Sequence, residues 1–230
     1  MKKFDILDIE SIKNYLNGTD ISAGEEFYIK SSLRMKYRDK FILDAVKGKK
    51  VIHLGCVDHL DLIEDKIANG RYLHANLEGV CLDLIGVDIN REGVDKMKSL
   101  GFRRIYTPDE VDNSIEFDIL LIPDVIEHVS NVGLFLESIK LYNVKSVIIS
   151  TPNAHRLSNR LNLRGELVNT DHKYWFSIYT LTRILFENNI RLVHLELCDS
   201  YDVKNPFKTL LKILIPSIRE NIVCIGKFNE

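Results

Sequence analysis

Apolar and polar positions alternate with a changing period along the chain, and that change marks out the elements. Residues 1 to 23 carry weak helical spacing through Ile6, Ile9, Ile12, Tyr15 and Leu16 and end in polar turn residues, which predicts a helical cap outside the main sheet. Glu25 to Val46 has stronger spacing, with Phe27, Leu33, Tyr37, Phe41, Ile42 and Ala45 on one face and Gly48 as a stop, predicting one helix with a basic outer side. The period then changes. Val51-Ile52-His53-Leu54 runs into Gly55 and polar residues, as a buried parallel strand does when it turns sharply, and Leu84-Ile85-Gly86-Val87-Asp88 repeats the pattern with a carboxylate at its end.

Between these strands the spacing predicts a loop over 60–70 and a helix near Arg71 to Val80; beyond them come a helix over Glu92 to Leu100 and a short strand over Phe102 to Tyr106. Phe117 to Ile122 reads as a strand closed by Pro123, Val132 to Leu141 as a helix, and Ser146 to Ser150 as a strand. A helix over Tyr179 to Asn188 precedes strands at Arg191 to Leu197 and Asn221 to Phe228. Strands alternating with helices predict an α/β, doubly wound, mostly parallel sheet of the Rossmann-like kind. The last two strands lack a crossover pattern and are expected to pair antiparallel. The expected division is a helical cap over 1–46 and one cofactor-binding domain over 47–230.

Composition narrows the setting. The chain has 230 residues, 45% hydrophobic and 28% charged, as a soluble globular protein does. No apolar run is long enough to cross a bilayer, and Met1-Lys2-Lys3-Phe4-Asp5 lacks the apolar core of a secretion signal, so a cytoplasmic location is expected. Cys56, Cys81, Cys198 and Cys224 have no paired spacing and read as reduced, buried side chains. A net charge of −2 argues against nucleic acid as a partner.

Strand ends in an open parallel sheet line a crevice, so the Gly55 turn and Asp88 predict a nucleotide-like ligand there. Dinucleotide sites use a second glycine to approach a pyrophosphate, but Val57 and His59 occupy the later glycine positions here. S-adenosylmethionine has no phosphate, and Asp88 could accept both of its ribose hydroxyls. Val57 likewise weighs against a nicotinamide oxidoreductase.

Taken in order, Val51-Ile52-His53-Leu54-Gly55-Cys56, Gly86-Val87-Asp88, Phe117-Asp118 through Asp124-Val125-Ile126-Glu127-His128-Val129, and Ile148-Ile149-Ser150-Thr151-Pro152-Asn153 resemble the motifs of class I S-adenosylmethionine-dependent methyltransferases. The resemblance covers roughly residues 40 to 200. It implies a seven-stranded sheet with an antiparallel last strand, S-adenosylmethionine as cofactor and S-adenosylhomocysteine as product. It also implies cofactor contacts at His53, Gly55, Cys56 and Val57, at Asp88 and Ile89, at Thr107, and at Pro123 and Asp124. Two departures stand out: the family usually has an acid where His53 stands and more glycine where Val57 and His59 stand.

Methyl transfer is a displacement at a sulfonium, so the protein mainly aligns the acceptor and excludes water. A hydroxyl acceptor is helped by a general base; an amine need only lose its proton. The catalytic candidates are Asp124 and His128 after the fourth strand of the crevice, and His172 in Asp171-His172-Lys173-Tyr174-Trp175-Phe176-Ser177, where Ser177 reads as a helix N-cap. Asp124, Glu127, His128 and His172 together are similar to the metal site of small-RNA terminal 2′-O-methyltransferases, with Asp124 one methylene shorter than the usual Glu. That resemblance implies a divalent ion, by its ligands Mg²⁺, Mn²⁺ or Zn²⁺.

Arg156, Arg160 and Arg164 recur every fourth residue and would form a basic stripe if helical, suited to a phosphate or carboxylate. Residues 204–219 pair Lys204, Lys208 and Lys212 with apolar neighbours and read as core packing or a homodimer contact, with a lid or a membrane-surface helix as alternatives. The expected function is methyl transfer to an O or N of a small molecule, a sugar or glycan precursor that is phosphorylated or nucleotide-linked. A metal-dependent RNA enzyme and a non-catalytic binding protein of the same fold are the alternatives.

Overall fold

The computed structural model describes residues 2–30, 34–162, 164–165, 169–200 and 205–229. Leu33 and Lys204 lie outside the described residues. The cap begins with β1 (Lys3–Asp5), α1 (Ile9–Leu16) and β2 (Glu26–Tyr28), the two strands pairing in parallel. Asp8 caps α1 by accepting from the Ser11 N–H.

One helix over Glu25 to Val46 does not form. Phe27 pairs with Phe4 in β1, and its ring lies 5.6 Å from that of Phe4 and 4.5 Å from that of Tyr179. These distant aromatic contacts hold the segment extended, against its local periodicity. Only α2 (Arg38–Val46) is helical, and its Ile42 and Val46 pack on Val51, Ile119 and Leu121 of the sheet.

The main chain continues through β3 (Lys50–Leu54), α3 (Ile63–Ala68), α4 (Leu73–Glu78), β4 (Asp83–Val87), α5 (Arg91–Ser99) and β5 (Ile105–Tyr106). The stretch read as a loop over 60–70 thus contains α3. The buried side chain of Ile63 joins Tyr72, Val94, Met97, Phe102 and Ile105 in a small core that orders it. Then follow β6 (Phe117–Pro123), α6 (Val132–Ser138), β7 (Val144–Pro152), α7 (Leu157–Leu161), α8 (Ile178–Glu187), β8 (Ile190–Cys198), α9 (Pro206–Leu214) and β9 (Asn221–Phe228).

The sheet has seven strands in the order β5-β4-β3-β6-β7-β9-β8. The first five are parallel; β9 runs antiparallel to both β7 and β8. The last strand in sequence therefore slots inside the sheet and leaves β8 at the edge. The winding reverses between β3 and β6, which puts a ligand crevice beyond their C-terminal ends. Among the described residues, no helix is long and apolar enough to cross a membrane.

Candidate functional site

The crevice at this reversal has a volume of about 900 Å³. Its floor begins at Gly55, whose φ of +73° suits glycine and where a Cβ would stand 2.3 Å from Val125 Cγ2. The Gly55 N–H donates to the Val87 carbonyl at 2.8 Å, tying the turn to the end of β4. Cys56 is buried; Tyr72 Oη donates to its carbonyl at 2.6 Å, and burial pushes its thiol well above the usual range. That thiol is not a nucleophile.

Asp88 closes β4 and faces the same turn. The Val57 N–H donates to its Oδ2 and the Asn90 N–H to its Oδ1, each at 2.9 Å. The Ile89 backbone also donates to this carboxylate, and a carboxylate has about four acceptor sites, so accepting capacity remains for a ligand hydroxyl. Burial raises the Asp88 pKa, opposed by those backbone donors. Ile89 beside it is exposed and lines the crevice. Thr107 lies apart from the lining, buried at a 3₁₀ turn where its N–H donates to Glu110 Oε2 at 2.9 Å.

His53 lies buried in the crevice wall with Nδ1 3.0 Å from His74 Nδ1 and the rings stacked at 5.2 Å. Burial lowers both pKa values, that of His74 to about 4, so the pair is neutral at pH 7 with one proton shared across the contact. His53 Nε2 is left without a protein partner. His74 fits because Gly86 lies beneath it; a Cβ there would stand 2.8 Å from His74 Cε1.

Pro123 lines the crevice, and Asp124 follows it with a φ of +50°. Its Oδ1 accepts from Ser150 Oγ at 2.9 Å, and its Oδ2 pairs with the Arg38 guanidinium. Arg38 also lines the crevice, a role its local sequence does not signal. It arrives there because Tyr37 bridges to Asp199 and the Arg38 N–H donates to the Asp199 carbonyl at 3.0 Å.

The far side of the crevice is built by Glu127, His128 and His172, which offer ligand atoms within 4.8 Å of one another. Glu127 is 1% exposed; its Oε2 accepts from Thr151 Oγ1 at 3.0 Å, its Oε1 has no partner, and burial raises its pKa to about 7. His128 Nδ1 lies 3.1 Å from the Asp171 carbonyl and so donates to it, and Nε2 lies 4.0 Å from Glu127 Oε1. His172 Nε2 meets the Asn169 amide nitrogen at 2.9 Å, while its buried Nδ1 has no partner. The orientation of that amide selects whether Nδ1 donates or accepts. Asp124, the fourth member of the metal set read from the sequence, is not in this cluster because Arg38 and Ser150 hold it.

The arginine stripe does not form. The helix there is only α7, Arg156 lies at its N-cap, and Arg164 lies beyond its end. Arg156 turns into the crevice, whereas Arg160 lines a separate cavity beside the N-terminal cap.

No protein-family model and no curated protein matches this sequence. Solved structures do match. An S-adenosylmethionine-dependent methyltransferase from Mesorhizobium loti is 13% identical over 83% of this chain and 98% of its own, with a TM-score of 0.53. Magnesium protoporphyrin IX methyltransferase from Synechocystis, with S-adenosylhomocysteine bound, is 13% identical over 83% of this chain and 82% of its own, with a TM-score of 0.52. The methyltransferase domain of a bacterial Hen1 protein is 17% identical over 82% of this chain and 95% of its own, with a TM-score of 0.51. The chain has the class I S-adenosylmethionine-dependent methyltransferase fold.

Proposed function

We propose that this protein is an S-adenosylmethionine-dependent methyltransferase that acts on an oxygen or nitrogen of a small molecule, a sugar or glycan precursor. The observation that carries the cofactor reading is the pairing of Asp88, held by backbone N–H groups at the crevice, and the Gly55 turn at the point where the winding reverses. When bound, the cofactor supplies an electrophilic methyl group on a positively charged sulfur. Asp88 holds the ribose hydroxyls, and Gly55, Cys56 and Val57 form the turn under the amino-acid arm. His53, neutral and with a buried, unpartnered Nε2, stands beside that turn where the family's usual acid would carry a charge.

On the acceptor side, Glu127 is the group able to take a proton from a hydroxyl, and the imidazoles of His128 and His172 flank it. Burial brings Glu127 near neutrality, so a large share of it is a base at pH 7. Thr151 and Asp171 fix the orientations of Glu127 and His128. For a hydroxyl acceptor, Glu127→Gln should lower kcat about 100-fold or more and leave the cofactor Kd within about twofold. Transfer of labelled methyl to a panel of sugar nucleotides tests this reading; cofactor loss at the same rate in Glu127→Gln would contradict it.

One observation favours a second reading, a divalent-metal centre: the Glu127, His128 and His172 cluster, with an unpartnered Glu127 Oε1 and His172 Nδ1. When bound, such an ion would polarise the acceptor hydroxyls. Titration with Mn²⁺ or Zn²⁺ separates the readings. The metal reading predicts heat that disappears in both His128→Ala and His172→Ala; silence in the wild type, or activity unaffected by a chelator, disposes of it.

A further inference from the structure

We infer that Arg156 is the anchor for an oxyanion, a phosphate or carboxylate, carried by the methyl acceptor. This rests on the methyltransferase reading and specifies the chemistry of its second substrate.

The described lysines and arginines that line the crevice are Arg38, Lys66 and Arg156. Arg38 is neutralised by Asp39 and Asp124, and Lys66 by Asp58. Arg156 has no carboxylate within 4.0 Å among the described residues. The lining also carries Asp58, Asp88, Asp124, Glu127 and Asp171, so what singles out Arg156 is the lack of an ion-pair partner among the described residues and not a net positive field.

Arg156 is also held in place. Its N–H donates to the Asn153 carbonyl at 3.0 Å, closing a turn at the end of β7. Asn153 is itself buried, with Nδ2 donating to the carbonyls of Ser217 at 3.0 Å and Arg219 at 2.9 Å. The Ala154 N–H donates to the Phe176 carbonyl at 2.9 Å, which joins this turn to the segment bearing Trp175. On that platform the guanidinium lies 4.8 Å from the Trp175 ring, and its Nε donates to Asn159 Oδ1 at 3.1 Å. The stacking and the Nε bond occupy one face and one edge. Among the described residues no hydrogen bond or ion pair reaches the edge carrying the two terminal nitrogens, and that fork matches two oxygens of a phosphate or carboxylate.

The position belongs to the acceptor. Asp88 closes β4 and Arg156 follows β7, three strand intervals apart in the sheet, roughly 14 Å. Trp175 is 5.6 Å from His172, whose ring meets His128 at 4.7 Å. An anion on Arg156 therefore lies alongside the cluster that would receive the acceptor's proton.

Trp175 is the sole tryptophan of the chain, so its fluorescence reports directly on Arg156. The full chain, loaded with S-adenosylhomocysteine, is titrated in parallel with pyrophosphate, UDP-glucose and glucuronate. A saturable change in emission is expected with at least one of them, at least tenfold weaker in Arg156→Gln and unchanged in Arg160→Gln. A response to the first two probes assigns a phosphate, and a response to glucuronate alone assigns a carboxylate. No response to any of the three, or an equal response in Arg156→Gln, overturns the inference. Calorimetry with S-adenosylhomocysteine on the same samples keeps the two claims apart. Cofactor binding with no anion response sinks the anchor alone, whereas absent cofactor binding sinks the methyltransferase reading whatever the anions do.

Discussion

Val57 stands where related turns carry glycine, and the missing glycine reappears beneath it at Gly93 in α5. A Cβ on Gly93 would come 2.3 Å from Val57 Cγ1, so the loop side chain occupies space vacated by the helix. Gly93→Ala should therefore destabilise the fold by about 1–3 kcal/mol through overpacking. Val57→Gly in the same chain should recover part of the loss, which a double-mutant cycle by urea denaturation measures as non-additivity. The His53 and His74 pair gives a pH dependence. The folded value of His74, about 4, lies below its ordinary 6.5, so the unfolded chain takes the proton first as pH falls. Its contribution is complete above about pH 6.5 and is lost progressively down to about pH 4, by roughly 3 kcal/mol in all. Urea unfolding at stepwise lower pH should show that slope, and His74→Gln should reduce it while the buried His53 retains its share.

Helix α9 illustrates what pattern alone cannot orient. Its Phe207, Leu210 and Leu214 are exposed, while Lys212 is buried and donates to Asp199 at 2.6 Å and Glu220 at 2.7 Å. Apolar spacing would turn the helix the other way. The ion pairs decide, because Asp199 is fully buried and needs the ammonium. Lys212→Met should cost about 3–5 kcal/mol, and adding Asp199→Asn should return part of it, read as thermal midpoints. Elements with local signals were legible. The strands at Val51, Leu84, Phe117 and Asn221 are continuous apolar runs bounded by glycine, proline or polar turns, and they form where those runs predict. β2 was not legible, because what holds Phe27 extended is Phe4 and Tyr179, one of them some 150 residues away. α3 was missed because its order comes from the few side chains around Ile63.

Across the whole molecule, the site divides in the same way. Gly55 and Asp88 announce themselves because strand ends in a doubly wound sheet must line the crevice. His128 and His172 are candidates from their residue types and places in the chain, but that they meet Glu127 could be suspected only by resemblance, since the segments carrying them join through the Lys173 N–H donating to the Glu127 carbonyl at 2.8 Å. Arg38, His74 and Asn169 reach the site by tertiary contacts that leave no local mark. The proposed function divides the crevice into a cofactor half over β4 and β3 and an acceptor half over β6 and β7, with the Arg38 and Asp124 pair between them. The most direct test of that division is calorimetric titration of S-adenosylmethionine into the wild type and Asp88→Ala, with folding checked by thermal unfolding. One site per chain is predicted, weakened about 100-fold or more by the substitution while the fold persists. No heat from the wild type, or equal affinity in a folded Asp88→Ala, would contradict the account.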